Sequence, residues 1–133
     1  MKYRGSCHCG RVKFEADLDL SQGTGKCNCT SCWKKRWWSA RAQPEDFRAL
    51  SGAEELSGYK PGQEQGHGGF CKHCGVFMYS FVAVAEWNPK AYMSISVAAL
   101  DDLDPAELIA APVKYMDGRN DDWWHTPKET RHL

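Results

Sequence analysis

Seven cysteines in three tight clusters constrain this chain more than any other feature. The clusters are Cys7-x-Cys9, Cys27-x-Cys29-x-x-Cys32 and Cys71-x-x-Cys74. Cysteines two or three residues apart in a tight turn can aim both sulfurs at one point, as a metal ion requires. Zinc takes four ligands in a tetrahedron with Zn–S near ~2.3 Å, so neighbouring sulfurs must stand roughly 3.8 Å apart. An odd cysteine count fits poorly with a fully paired disulfide framework, and clustered thiols in a reducing compartment more often bind metal.

The residue after each cluster sorts the seven into four and three. Cys9 is followed by Gly10 and Cys74 by Gly75, whereas Cys32 is followed by bulky Trp33. Glycine permits a positive φ and lets backbone N–H groups turn toward the sulfurs. Pairing the two glycine-closed turns gives a closed site of Cys7, Cys9, Cys71 and Cys74. Four thiolates there would tie distant parts of a small domain together. Cys27, Cys29 and Cys32 remain. Three protein ligands with one open position is the composition of a catalytic zinc site. Two other arrangements stay open for these three: a closed site completed by His67, or plain reduced thiols.

The surroundings of the second cluster bear on what it would bind. Lys26, Lys34, Lys35, Arg36 and Arg41 lie between Leu20 and Pro44 with no acid among them. Zinc with three thiolates carries one formal negative charge, which suits a soft thiol ligand better than ionisation of water. The lysines and Arg36 would offset that charge and draw in an anionic thiol. Glutathione, with two carboxylates, fits this description. Lys34, Lys35, Arg36 and Trp38 are the candidate substrate contacts. Trp37 and Trp38, adjacent on a strand, face opposite sides, so one suits the core and the other a pocket wall. His8 and His73, inside the zinc turns, are expected at the surface.

The 133 residues, 42% apolar and 12% aromatic, suit one zinc-binding domain over 1–133 with a modest core. Lys plus Arg balance Asp plus Glu at 17 each, which argues against nucleic acid or an anionic membrane as partner. No apolar run approaches the ~20 residues of a membrane span. The N-terminus lacks the apolar stretch of a secretion signal, so the cytoplasm is the expected location.

The pattern is mainly β, with short strands bounded by Gly, Pro and Asn. Tyr3–Ser6 and Arg11–Ala16 form an expected hairpin, with Val12 and Phe14 alternating against polar neighbours. A loop is expected over Leu18–Gly25, then a helical turn through Ser31–Lys35. Strands are expected at Trp37–Arg41, Phe47–Leu50, Glu55–Tyr59, Val76–Val84, Tyr92–Val97 and Val113–Met116. Phe70–Gly75 should form a second knuckle-like turn. Asp104 and Pro105 predict a helix start. Trp123 and Trp124 are expected to pack the tail.

The stretches 5-GSCHCGRVKFEA-16, 26-KCNCTSCWKK-35 and 70-FCKHCGVFMY-79 resemble the three cysteine motifs of the glutathione-dependent formaldehyde-activating enzyme family. That family also includes centromere protein V. The tail 112-PVKYMDGRNDDWW-124 is similar to the end of many short bacterial members. The resemblance implies a small β-tent of short antiparallel sheets with a few helical turns, held by zinc. It implies two Zn²⁺ per chain. Positions matching Cys7, Cys9, Cys71 and Cys74 hold the structural zinc; those matching Cys27, Cys29 and Cys32 hold the catalytic one. The activity implied is S-(hydroxymethyl)glutathione synthesis from glutathione and formaldehyde, a carbon–sulfur lyase reaction in the reverse sense. The competing expectation is a non-catalytic, zinc-stabilised binding module for a protein or an anionic ligand.

Overall fold

Alternation of apolar and polar residues at the start of the chain builds a hairpin. In the computed structural model, β1 (Lys2–Ser6) pairs antiparallel with β2 (Lys13–Asp17), placing Tyr3 opposite Ala16 and Gly5 opposite Phe14. All four are buried on one face, as a period of two requires. The Phe14 ring fills the space that a side chain at position 5 would need. β5 (Phe47–Ser51) pairs with β2 and completes a three-stranded sheet. Residues 1–58 and 68–133 are described. His67 lies outside the described residues.

A seven-stranded sheet packs against the first. Its strands are β3 (Thr24–Cys27), β4 (Trp38–Ala42), β6 (Leu56–Ser57), β7 (Gly68–Cys71), β8 (Phe77–Val82), β9 (Tyr92–Ser96) and β10 (Val113–Met116). Their order is β10-β3-β4-β9-β8-β7-β6. Every pairing in it is antiparallel except that of β10 with β3, which is parallel. The molecule is mainly β, as its pattern predicts.

The core lies between the sheets. Phe14 stacks on Phe47 at 5.5 Å between ring centroids and meets Tyr79 edge-on at 5.4 Å. Tyr3, Val12, Met78, Ile95 and Val97 are fully buried around them. Each such side chain contributes about 1.5–3 kcal/mol by leaving water.

Two short helices fit between strands. α1 (Thr30–Lys35) follows Cys29, and α2 (Pro105–Ala110) follows Asp104. The Asp104 carboxylate accepts from the Ala106 N–H at 2.8 Å, the expected cap. Among the described residues no helix is long and apolar enough to cross a membrane.

Three expectations are corrected. Thr24 and Gly25, expected in a loop, begin β3, because β10 and β4 flank this segment and satisfy its backbone. Gly68–Cys71 is a strand leading into the second knuckle, paired with β8. Trp124 does not pack the tail: it is 81% exposed, while Trp123 rests against Gly118.

Candidate metal centres

The four sulfurs of Cys7, Cys9, Cys71 and Cys74 lie within 4.8 Å of one another. Cys7 and Cys9 stand 3.6 Å apart, and Cys9 and Cys71 3.7 Å. Those separations fit the roughly 3.8 Å edge of a tetrahedral zinc–thiolate site. Two matching turns create this geometry. The Cys7 N–H donates to Val12 O at 3.0 Å, and the Cys71 N–H to Val76 O at 2.9 Å. Gly10 and Gly75 close the turns at φ +80° and +78°, values that favour glycine. The cluster joins the β1–β2 hairpin to the β7–β8 hairpin, so a metal held there would clamp the two sheets.

The surrounding backbone favours thiolates. The Arg11 N–H, and then its guanidinium, hold Cys9 down at about 6. The N–H groups of Cys9 and Val76 lower Cys74, whereas burial raises Cys71. His8 and His73 lie at the surface, and His73 Nε2 is 2.8 Å from Glu55.

Cys27, Cys29 and Cys32 form the second cluster, also with sulfurs within 4.8 Å. Cys27 ends β3, held in register opposite Met116 of β10. Cys29 caps α1, its sulfur accepting from the Cys32 N–H at 3.4 Å. The Cys27 sulfur likewise accepts from the Cys29 N–H at 3.4 Å. One helical turn thus folds the sequence C-x-C-x-x-C onto a point.

Electrostatics distinguish the three. Burial pushes Cys32 up to about 12, and the nearby Cys29 and Cys27 sulfurs add to this. Burial also raises Cys27. At Cys29 burial opposes ionisation, but hydrogen bonds from the Cys32 N–H, the Cys32 and Cys27 thiols and the Ser31 N–H together outweigh it and hold the thiol below its ordinary value. Three thiolates this close and this buried need a cation to coexist, which is the donor chemistry of a soft divalent metal. The residues present fit zinc at both clusters.

A cavity of about 290 Å³ opens beside the second cluster. Cys27, Cys32, Lys26, Trp33, Arg36, Trp37, Trp38 and Leu133 line it. Of the expected substrate contacts, the structure brings Arg36 and Trp38 to this wall. Lys34 and Lys35 are exposed elsewhere on α1, with Lys35 Nζ over the Phe77 ring at 5.3 Å. Trp38 joins the core edge and the cavity together: its Nε1 donates to Thr24 Oγ1 at 2.8 Å. Lys26 Nζ lies 4.2 Å from the Trp38 ring centroid and Arg36 4.9 Å from that of Trp33. Burial, with Arg36 close by, lowers the Lys26 ammonium below its usual value.

Sequence reasoning missed the loop that backs Cys27. The Asn28 side chain donates to Asp117 Oδ1 at 2.8 Å and accepts from the Arg119 N–H at 2.9 Å. Gly118, held between them, lies against the Cys27 sulfur. The only signal was the DGRN run within the quoted tail, which carries no metal-ligand spacing.

A crystal structure of a Rhodobacter sphaeroides protein, a structural genomics target, has the same fold with a TM-score of 0.65 and 30% sequence identity. The match covers 84% of this chain and 99% of that one. The sequence model of one family, described as glutathione-dependent formaldehyde-activating enzyme, matches residues 2–115. That span takes in both cysteine clusters and all of both sheets but the last residue of β10, and the chain belongs to the glutathione-dependent formaldehyde-activating enzyme family.

Proposed function

We propose that the chain is a zinc-dependent carbon–sulfur lyase-type enzyme that joins a thiol such as glutathione to formaldehyde or another small aldehyde. The observation that carries this reading is the three-cysteine cluster opening on a cavity walled by two cations and three tryptophans. Cys7, Cys9, Cys71 and Cys74 would hold a structural zinc, and Cys27, Cys29 and Cys32 a second one. Zinc at the second cluster would supply an acceptor that favours the thiolate form of a substrate thiol at neutral pH.

The chain's own residues do the rest. Lys26 and Arg36 attract an anionic thiol and offset the charge of the three cysteine thiolates. Trp33, Trp37 and Trp38 exclude water from one side and limit the orientations of the bound thiol, so much of the rate gain comes from proximity. In the reaction the sulfur–carbon bond forms as the carbonyl π bond breaks. The proton lost by the thiol ends on the new hydroxyl oxygen, so atoms balance without an oxidant or reductant. Seven free cysteines suit a reducing compartment such as the cytoplasm.

The test compares adduct formation with metal-replete protein against the uncatalysed reaction over a panel of thiols and aldehydes. Cys29→Ala should reduce the rate to background while the fold survives on the four-cysteine site. A variant that unfolds as readily as Cys74→Ala would instead make the second cluster structural and favour a non-catalytic binding module.

A further inference from the structure

Cys27 is the most covered cysteine of the second cluster: it is 5% exposed, while Cys29 and Cys32 are half-buried. The cavity lies on one side of its sulfur. The other side faces the tail. Trp123 turns its ring edge, Cη2 and Cζ3, toward the Cys27 sulfur across Gly118. All three atoms stand 2.6–2.7 Å from the point where a β-carbon at position 118 would lie, so ring and sulfur flank one small gap. Further along, the tail also meets the cavity side. Arg36 Nη1 donates to the main-chain oxygen of His132 at 2.6 Å, and the His132 ring meets Trp33 edge-on at 5.0 Å. Trp123 lies beyond the 2–115 span that matches the family.

Two features separate Trp123 from ordinary tail packing. First, its side chain is 41% exposed, so burial alone gives only part of the energy that holds a core tryptophan in place. Second, its ring is positioned by a hydrogen-bonded circuit that starts inside the cysteine turn. Asn28 donates to Asp117 Oδ1 at 2.8 Å, and the Asp122 N–H donates to Asp117 O at 3.0 Å. The Asp121 N–H donates to Gly118 O at 3.2 Å, and Asp121 Oδ1 accepts from Trp123 Nε1 at 3.1 Å. Asp121 adopts φ +56°, in the left-handed region, which turns the chain back over Gly118. Trp124, the next residue, is 81% exposed.

We propose that Trp123 is a cover on the second metal site: its ring shields the Cys27 sulfur on the tail side and slows the loss of a metal held by Cys27, Cys29 and Cys32. This rests on the metal reading of that cluster given above. A metal–thiolate bond is lost when water brings a proton to the sulfur or when a competing ligand reaches the metal, and an apolar cover hinders both. Trp123 is thus a positioning residue that acts through Cys27. It sets how fast the metal leaves and touches no substrate.

The test follows transfer of zinc from the metal-replete full chain to a chromogenic chelator, which needs no substrate. Trp123→Ala should speed release from the second site by about tenfold and leave the four-cysteine site at the parent rate. Trp123→Phe, which restores an apolar ring, should bring the rate back to within about threefold of the parent. Asp121→Ala keeps the ring but removes its anchor; it should speed release by about two- to fivefold, and decides the question if Trp123→Ala misfolds. Trp124→Ala should match the parent. Unchanged release in Trp123→Ala and Asp121→Ala overturns the proposal. So does release from Trp123→Phe as fast as from Trp123→Ala, or an equal effect of Trp124→Ala. Two zincs in the parent with unchanged release in the variants sinks the cover alone, whereas a parent that holds zinc only at the four-cysteine site sinks the metal reading and the cover together.

Discussion

Gly118 lies against the Cys27 sulfur with no room for a side chain: a β-carbon there would stand 2.6 Å from Cys27 Sγ and 2.6 Å from the Trp123 ring. Real β-carbons do not approach sulfur so closely, so either the cysteine or the loop must shift. Metal sites tolerate only small errors in ligand position. Gly118→Ala should therefore weaken the second metal site by about tenfold or more while leaving the four-cysteine site intact. Competition with a chromogenic chelator measures this. Equal retention of both metals in variant and parent would show that the loop yields without cost.

Asn28 ties the same loop to the cysteine turn. Asn28→Ala leaves the Arg119 N–H without its acceptor, a cost of about 1–3 kcal/mol where the group stays buried. The pH profile should change as well. Hydrogen bonds from Asn120 and then Asn28 hold Asp117 below its usual carboxylate value. A depressed carboxylate contributes stability above its unfolded value, near ~4, and loses it as pH falls through the folded one. Removing Asn28 brings the folded value back toward the unfolded one, so both the contribution and its acid window should shrink. Denaturation midpoints from neutral pH down to acid test this. An Asp117 titration that does not move in Asn28→Ala would assign the whole shift to Asn120.

The hairpin, the helix cap at Asp104 and strand β10 were legible because each depends on local signals. Val12 and Phe14 alternate with polar residues, Asp104 precedes Pro105, and Val113 and Tyr115 alternate with Lys114 just after Pro112. The four-plus-three division of cysteines was legible because Gly10 and Gly75 mark two equivalent turns. β3 was not. Thr24 and Gly25 have weak strand character, and their partners come from β10, remote in sequence, in a parallel pairing that leaves no local trace. The cavity was half legible. Arg36 and Trp38 stand close to the cysteines in sequence, but the arrival of His132 and Leu133 depends on how the whole tail folds back.

The two clusters should differ in how readily they give up metal. Four cysteines from both sheets would hold one metal, while three would hold the other beside an open cavity. Metal analysis should find two zincs per chain. Mild chelation should release one and expose three thiols to a thiol reagent, with the remaining four reactive only after unfolding. Circular dichroism should change little at the first stage, because the three-cysteine site closes no sheet contact. A single tightly held zinc with Cys27, Cys29 and Cys32 freely alkylated would exclude the two-site arrangement.

Arg36 allows backbone strain to be separated from side-chain function. It adopts φ +55°, in the left-handed region, at the C-terminal cap of α1. Its N–H closes the helix on Trp33 O at 3.1 Å, and the next N–H, of Trp37, reaches Cys32 O at 2.9 Å. The conformation turns the chain from α1 into β4 and aims the guanidinium at the cavity. Glycine would adopt it freely, whereas a residue with a β-carbon pays about 1 kcal/mol. Arg36→Gly and Arg36→Ala both remove the guanidinium, so contacts cancel between them and only the backbone differs. Arg36→Gly should then be more stable than Arg36→Ala by about 1 kcal/mol, less the greater freedom of glycine in the unfolded chain. Ligand affinity should fall alike in both. Chemical denaturation of the pair, with glutathione titrations alongside, reads the two effects separately. Arg36→Gly less stable than Arg36→Ala would show that the turn relaxes away from the left-handed region once the Arg36 contacts are gone. The strain would then be held by the guanidinium's bond to His132 rather than by the helix cap.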